Sequence, residues 1–308
     1  VCEEAVLGDI DEEKIEEFVQ KAKEERNFNL QYNSKKDFLQ KMHFLSQKGL
    51  NHSALLLFGK DTQKFVLQSE VRCGRFKGIK PLEFEDMEVI KGTLIEQVNQ
   101  MMSFVKRNLK VKATFDEGVE RKEEWEYPLL ALREGIINAL VHRDYALNSN
   151  VQIRIFDDRL EIWSPGGLPF GLTVAKLKGK HESKPRNKEL ANTFFMIKLI
   201  EQWGTGTNRI IELCKEHQLP EPDFEDTGTS FIVTFKKDRI TEEVLKELNE
   251  RQKKALDYMK ENGSITNREY CEINKVVKNT AYRDLMELIN KEIVKPKGVG
   301  RKSYYVLE

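Results

Sequence analysis

The sequence has no excess of either charge and only a few cysteines, and each of these two facts argues against certain classes of protein. Acidic and basic residues are equal, 51 of each in 308 residues, so a nucleic-acid-binding surface has to be local. The cysteines Cys2, Cys73, Cys214 and Cys271 are scattered and form no Cys-x-x-Cys pair. This spacing argues against a disulfide framework or a zinc site, and it favours a reducing, cytoplasmic environment.

Long apolar runs, a signal peptide and a complete phosphate-binding loop are also lacking. Without a membrane-length apolar run or a signal peptide, we expect no membrane partner. The pair Gly59-Lys60 resembles the end of a phosphate-binding loop. That loop also requires an earlier glycine, and the residue at its position is Ala54, so the motif is incomplete. We therefore interpret 54–58 as a buried strand and 59–62 as a turn. The chain begins at Val1 rather than Met, and we expect it to be a piece of a longer protein.

The most informative segment is Leu129–Tyr145, which predicts a mostly apolar helix with one narrow polar stripe. Glu134, Asn138 and His142 recur at i, i+4 and i+8, with the small Gly135 beside them. A carboxylate and an amide on a buried helix are costly unless they have partners. A carboxylate can orient or deprotonate a water, and an amide oxygen is a suitable Mg²⁺ ligand. The stripe predicts the floor of a site where nucleotide phosphates meet a metal; from spacing alone, a thin solvent-facing edge is an equal alternative.

Two glycine-rich turns follow this helix. The segments 151–156 and 159–163 alternate polar and apolar residues, which predicts an antiparallel hairpin leading into Gly166-Gly167. Paired glycines let backbone amides approach a ligand, although a simple turn also explains them. The run 204–207 opens a further helix, and its free N–H groups, hydroxyl donors and position at the positive end of the helix dipole predict a phosphate-binding site. A capped helix start without a ligand is the alternative.

The C-terminal segment predicts three helices and a hairpin, the pattern of a winged helix-turn-helix. Asn249 is expected to cap the first helix, Thr266 with Glu269 to open the second, and Asn279 to cap the third. Residues 275–302 contain eight basic and three acidic residues, which indicates duplex DNA as partner, with protein docking as the alternative. The candidate DNA-binding residues are Lys278, Thr280, Tyr282 and Arg283 on the third helix and Arg301 and Lys302 on the wing.

Taken together, these motifs resemble a known family. Glu134-x-x-x-Asn138 followed by His142-Arg-Asp-Tyr145 resembles the N box of the GHKL superfamily, which includes gyrase, histidine kinases and MutL proteins. With 164–169 and 204–209, the combination resembles the prokaryotic GHKL-like ATP-binding regulators often labelled as related to the RecG helicase C-terminus. The resemblance runs from about Asn51 to Phe235. The helicase label carries no weight, because the sequence has no phosphate loop and no helicase motor segments.

The resemblance implies an α+β chain, a GHKL (Bergerat-type) α/β sandwich followed by the winged helix-turn-helix domain. It implies a helical linker over 1–50, which would be the tail of an upstream Schlafen/Alba-type domain, and a GHKL-like ATP-binding domain over 51–236. A linker over 237–247 and a winged helix over 248–308 complete the expected organisation.

The resemblance also implies roles for single residues. Glu134 would be the general base, Asn138 the Mg²⁺ ligand, and ATP the nucleotide. The position of the superfamily's adenine-binding aspartate corresponds to Ser164 in this sequence. A serine carries no charge, so the charge-assisted hydrogen bond of the aspartate, worth about 1.5–3 kcal/mol, is lost. This loss weakens adenine binding by roughly one to two orders of magnitude. The expected nucleotide-binding residues are Glu134, Asn138, Ser164, Gly166, Gly167, Gly204, Thr205, Gly206 and Thr207.

The function that these expectations favour is a DNA-binding transcriptional regulator whose ATP-binding domain controls a winged helix. One alternative is a slow ATPase that drives a conformational cycle. The other is a nucleotide-free scaffold that acts in dimerisation and protein interaction. Glu134 and Asn138 favour the ATPase and Ser164 favours the scaffold, and a homodimer is left open.

Overall fold

The computed structural model divides the chain into two compact units, Val1–Lys237 and Asp238–Glu308. It describes residues 1–115, 121–179, 182–201, 204–237, 242–291, 293–298 and 303–307. Each unit has a hydrophobic core of its own. Within the described ranges, no helix combines the length and the apolar character that crossing a membrane requires.

The first unit combines nine helices with ten strands in the part of it that is described. The helices are α1 (Glu12–Arg26), α2 (Lys35–Lys41), α3 (His52–Phe58), α4 (Thr62–Phe65), α5 (Leu94–Asn108), α6 (Leu129–Val141), α7 (Val174–Leu177), α8 (Lys188–Met196) and α9 (Gly206–Glu216). The strands are β1 (Leu45–Ser46), β2 (Gly49–Leu50), β3 (Val71–Phe76), β4 (Phe84–Ile90), β5 (Val111–Phe115), β6 (Arg121–Trp125), β7 (Val151–Ile155), β8 (Arg159–Pro165), β9 (Asp223–Asp226) and β10 (Ser230–Lys236).

A six-stranded mixed sheet organises this unit, in the order β4-β3-β7-β8-β10-β9. Strands β3 and β7 run parallel, and the other neighbours are antiparallel. The predicted hairpin is confirmed: β7 pairs with β8, with Ile153 opposite Ile162. Alternate residues of both strands are buried, as the sequence pattern predicted. The first unit is therefore a mixed α+β structure, as expected.

Helix α6 lies close against this sheet because Gly135 removes a side chain at the contact. A Cβ atom at Gly135 would come within 2.9 Å of the Ile162 side chain on β8. The helix carries eight buried residues, and it packs on α5 and α9 as well as on β8. Glu134 and Asn138 are half-buried on this helix, and they lie among the buried residues that pack on these neighbours.

The N-terminal region differs from its prediction in two respects. The apolar run 54–58 is a helix, α3, rather than a strand, because the Asn51 side chain accepts a hydrogen bond from the Ala54 amide and caps its first turn. Residues 1–50 are not a separate linker. Ile15 and Phe18 of α1 are buried in the same core as the sheet, so this region is part of the first unit.

The second unit consists of four helices and one hairpin among its described residues. They are α10 (Glu242–Glu247), α11 (Glu250–Asn262), α12 (Asn267–Asn274), α13 (Lys278–Asn290), β11 (Val294–Lys297) and β12 (Tyr304–Leu307). Asn249 caps α11 and Thr266 forms a capping box with Glu269, as predicted. The predicted Asn279 cap is wrong: α13 already begins at Lys278, and Val277, at the capping position, supplies no side-chain hydrogen bond.

The buried carboxylate of Asp284 connects three helices of the second unit. Asp284 of α13 accepts two hydrogen bonds from the Arg251 guanidinium of α11, at 2.7 and 3.2 Å. The Tyr270 hydroxyl of α12 donates to the same carboxylate at 3.0 Å. Asp284 is only 3% exposed, and these bonds satisfy its charge inside the protein.

Candidate functional site

One cavity of about 370 Å³ brings together most of the residues that the sequence singled out, and its size suits a small ligand. Its walls come from α6, the end of β8, the segment 182–188 and the start of α9. Of the expected nucleotide-binding residues, the following line it: Glu134, Asn138, Ser164, Gly166, Gly167, Gly204, Gly206 and Thr207. Thr205 is the exception; it occupies the N-cap position of α9 and is exposed.

The polar stripe of α6 meets the first residue of α9 in direct contact. A Cβ atom at Gly206 would overlap the Glu134 carboxylate and lie 3.2 Å from the Asn138 amide nitrogen. A glycine is therefore needed here for close approach. The same contact places the unbonded N–H groups of the first turn of α9 beside a carboxylate and an amide.

Glu134 and Asn138 are bonded to each other across one turn of α6. The Asn138 amide nitrogen donates to Glu134 Oε1 at 3.3 Å. The Asn138 amide oxygen makes no hydrogen bond with any described residue, so it is the atom left to bind a metal ion. Among the residues that the structure describes, no group of three His, Cys, Asp or Glu side chains could hold a metal by itself. A divalent cation here would need oxygen atoms from a ligand.

The surroundings of Glu134 act on its protonation in opposite directions. Burial raises the pKa of the Glu134 carboxyl, whereas the Asn138 hydrogen bond and the positive charges of Arg209 and Arg133 lower it. Both arginines line a second cavity of about 370 Å³ that shares Glu134 with the first. Sequence reasoning assigned neither arginine to the site, because spacing in sequence does not show which side chains share a cavity wall.

The C-terminal end of α6 is held by three separate segments. The helix leaves four carbonyl groups without helical partners. The His142 amide bonds the first, on Asn138. The other three accept bonds from side chains of distant or non-helical residues: Ser164 donates to Ala139 O at 2.8 Å, Tyr145 to Leu140 O at 3.0 Å, and Asn187 to Val141 O at 2.8 Å.

The first glycine of the pair after β8 adopts a backbone conformation that other residues avoid. Gly166 has a φ of +100°, and a Cβ atom there would overlap the Arg186 guanidinium. Arg186 pairs with Asp144 at 3.2 Å and donates to Gly167 O at 2.7 Å. Gly166 thus leaves room for Arg186, which comes from the segment before α8.

Cationic side chains that sequence reasoning did not assign to the site also line the cavity. Lys184 and Lys188 are among its lining residues, and neither forms an ion pair with a described residue. Both lie in the segment 182–188 that forms one wall of the cavity, and their positive charge is the only signal that the sequence offers. His142 lines the cavity too, and burial together with Arg186 lowers its pKa to about 4, so the imidazole is neutral at pH 7.

The second unit presents a basic surface on α13 and β11. Lys278, Tyr282 and Arg283 are exposed, whereas Thr280 is half-buried. Arg301 and Lys302, which were predicted to contact DNA, lie outside the described residues. Lys295 and Lys297 on β11 are also exposed, and neither pairs with an acidic residue in the described part of the chain. Asp284 does not reduce the surface charge of α13, because it is buried against Arg251.

Comparison with known proteins supports an ATPase-like domain. Residues 148–235 match the model of a family described as "Putative ATP-dependent DNA helicase recG C-terminal". This match covers less than a third of the chain; it includes Ser164 and the 204–207 turn but not Glu134 or Asn138. No curated protein matches the sequence.

A solved structure resembles the chain in fold. The DIP2311 protein from Corynebacterium diphtheriae is 19% identical, with a TM-score of 0.61 over 99% of this chain. The chain spans 63% of the length of that protein. At this identity the likeness concerns the fold alone.

Proposed function

We propose that the first unit binds ATP with Mg²⁺ and that this binding regulates a DNA-binding winged helix in the second unit, as in a transcriptional regulator. The observation that carries the nucleotide proposal is the contact of Glu134 and Asn138 with Gly206 at the start of α9. A carboxylate, an amide oxygen and a helix N-terminus then line one cavity with Lys184 and Lys188, which form no ion pair with a described residue. This set of groups suits a polyphosphate and a hard cation.

The residues present fit both groups. Gly204, Gly206 and Thr207 offer backbone N–H groups to the phosphates, and Lys184 and Lys188 offer positive charge. The free amide oxygen of Asn138 is the protein ligand for Mg²⁺. Bound Mg²⁺ neutralises phosphate charge. The neutral His142 adds no positive charge to the cavity.

Titration calorimetry with ATP and Mg²⁺ tests this assignment. We expect weak binding that requires Mg²⁺, and we expect Asn138→Ala to abolish the Mg²⁺-dependent part. Asn108→Ala is a matched control. Asn108 lies on a helix, α5, and its amide donates to the Asp86 carboxylate, but it lies outside the cavity. Absence of heat and of a thermal shift at millimolar ATP and Mg²⁺ would favour a nucleotide-free scaffold that acts in dimerisation.

Slow hydrolysis is the second candidate activity, and Glu134 favours it. Its raised pKa and its place beside the helix N-terminus suit a group that orients or deprotonates the attacking water. Glu134→Gln should keep nucleotide binding and lose hydrolysis, because such a group acts on the chemical step. ATP hydrolysis that persists in Glu134→Gln would mean that Glu134 is not the general base.

For the second unit we propose a winged helix that inserts α13 into the major groove. The support is the exposed row of Lys278, Tyr282 and Arg283 at the N-terminal end of α13, next to basic residues on β11. Removing Lys295 and Lys297 should weaken binding to every duplex and flatten its salt dependence, whereas Arg283→Ala should change sequence preference.

Fluorescence anisotropy of labelled duplexes over a salt series tests this interface. Lys260→Ala on α11 is the control, because Lys260 is exposed and basic but lies outside α13 and β11. A duplex that binds with no salt dependence, or not at all at micromolar protein, would leave a protein-docking module. All four cysteines are free thiols, which is consistent with the cytoplasmic location that we propose.

A further inference from the structure

The second cavity, of about 370 Å³, is built from parts of the first unit that are distant in sequence. Its walls come from α1, the first half of α6, the segment 197–201 and α9. Glu134 lies in the walls of both cavities, whereas Lys21, Arg133 and Arg209 line the second cavity and not the first. The second cavity therefore has cations of its own.

The carboxylates in these walls already have partners. Glu25 of α1 pairs with Lys198 at 3.4 Å. The Arg26 guanidinium donates to both carboxylate oxygens of Glu201, at 2.9 and 2.8 Å. Glu134 accepts the amide hydrogen bond within α6 that is described above. None of these carboxylates is therefore free to pair with the remaining cations of the cavity.

Those remaining cations are Lys21, Arg133 and Arg209, from three different helices. None of the three forms an ion pair or donates a side-chain hydrogen bond to a described residue. Arg133 is half-buried, so water covers its charge only in part. Like charges that converge on one cavity repel each other, and an anion bound between them offsets that repulsion. Guanidinium groups suit a phosphate, because their N–H groups bond two of its oxygen atoms at once.

We propose that the second cavity is a binding site for a phosphate group, distinct from the nucleotide cavity. Arg133 and Arg209 bond the phosphate oxygens, and Lys21 supplies a third positive charge. This inference goes beyond the proposed nucleotide binding and does not depend on it. The group can belong to free inorganic phosphate or to a phosphate monoester of a small molecule, and a cavity of this volume has room for the organic part of a monoester.

Calorimetric titration of the full chain with inorganic phosphate and with glycerol 3-phosphate, without nucleotide or Mg²⁺, tests the site. We expect Arg133→Gln and Arg209→Gln each to weaken binding about tenfold or more, since each removes hydrogen bonds to a charged group. Glu25→Gln should strengthen binding about twofold to fivefold, because it removes a negative charge from the wall and releases Lys198. Misfolding cannot produce this gain. Tighter binding of glycerol 3-phosphate would identify a monoester as the ligand, and equal or weaker binding would identify the free ion.

Matched controls come from the same helices and from the first cavity. Glu24→Gln on α1 and Lys215→Gln on α9 change exposed charges that line neither cavity, so both should bind phosphate as the wild type does. Lys188→Gln changes the first cavity alone and should also leave phosphate binding unchanged.

Two results would overturn this inference. One is that neither anion binds to the folded wild-type protein, or that both bind equally well to Arg133→Gln and Arg209→Gln. The other is that only Lys188→Gln loses the binding, which would place the phosphate in the first cavity. Failure of the protein to bind ATP would contradict the proposed function and leave this inference standing, because the titrations contain no nucleotide.

Discussion

At the scale of single residues, Gly206 allows stability and function to be separated. An alanine normally suits a helix better than a glycine by up to about 1 kcal/mol. The three atoms nearest to a Cβ atom at Gly206 belong to the ends of the Glu134 and Asn138 side chains, which can move aside. We expect Gly206→Ala to keep or raise the free energy of unfolding, while Mg²⁺-dependent ATP binding falls about tenfold, or about 1.4 kcal/mol.

Denaturant unfolding and calorimetry on the same samples check both parts of this prediction. Gly8→Ala is the control, because a Cβ atom there meets a single side-chain atom at 3.9 Å, an ordinary contact. Gly166→Ala should instead lower the free energy of unfolding of the first unit, because a φ of +100° is strained for alanine. Unchanged ATP binding by Gly206→Ala would mean that Glu134 and Asn138 do not contact the ligand.

His142 makes stability depend on pH in a predictable direction. Its pKa in the folded protein is about 4, below the unfolded value of about 6.5, so the folded protein resists protonation. The contribution of His142 to the free energy of unfolding is complete above pH 6.5. It is lost as the pH falls from 6.5 towards 4, by up to about 1.4 kcal/mol per pH unit. His52, whose pKa is also lowered by burial, adds to the same decline.

The difference between the wild type and His142→Gln isolates this contribution. Free energies of unfolding measured at pH 7, 6 and 5 should fall less steeply in the variant. Above pH 5 the carboxyl groups interfere little, because most of them have lost their protons. Parallel curves for the two proteins would show that His142 is protonated as easily in the folded state as in the unfolded one.

At the scale of elements, the ion pair at Asp284 determines how α11, α12 and α13 hold together. Removing one partner of a buried pair leaves an uncompensated charge and typically costs 3–5 kcal/mol. Arg251 is partly exposed, so we expect about 2–3 kcal/mol for Asp284→Ala. Tyr270→Phe removes one hydrogen bond and should cost about 1 kcal/mol.

Urea unfolding of the second unit, followed by circular dichroism, measures both variants. Arg268→Ala serves as the control, since Arg268 forms an exposed i,i+4 pair with Glu272 that is worth little. Equal losses for Asp284→Ala and Arg268→Ala would contradict a special role of the buried pair.

The elements that the sequence predicted are those with a clear period or a local signal. The stripe of α6 has a helical period, β7 and β8 alternate, and Asn249 and Thr266 mark helix starts. The run at α3 has neither, because five successive buried apolar residues fit a strand and a short helix equally well. There the Asn51 cap was the only local signal.

The candidate site was predictable in part for the same reason. The N–H groups at 206–207 and the stripe of α6 are local patterns, and the structure brings them into contact. The positions of Arg186, Arg209 and Lys188 depend on which segments meet in three dimensions. Spacing in sequence holds no information about such contacts.

At the scale of the whole molecule, the separate cores of the two units predict separate unfolding. Leu285 of α13 is fully buried in the second core, and Leu285→Ala should cost that unit about 2–5 kcal/mol. All three tryptophans, at 125, 163 and 203, fall within the sequence range Val1–Lys237, whereas the range Asp238–Glu308 has none, so tryptophan fluorescence follows the first unit. We expect circular dichroism to show an earlier transition in the variant and the tryptophan midpoint to stay unchanged. A shift of both signals together would contradict independent cores.

The three side-chain bonds at the end of α6 have a consequence for amide hydrogen exchange. Ser164, Tyr145 and Asn187 come from different stretches of chain, yet each holds a carbonyl in the same helical turn. Fraying of that turn breaks contacts with all three stretches at once. The protected amides of β8, the 142–145 segment and the start of α8 should therefore exchange with one common opening free energy, as a single cooperative unit.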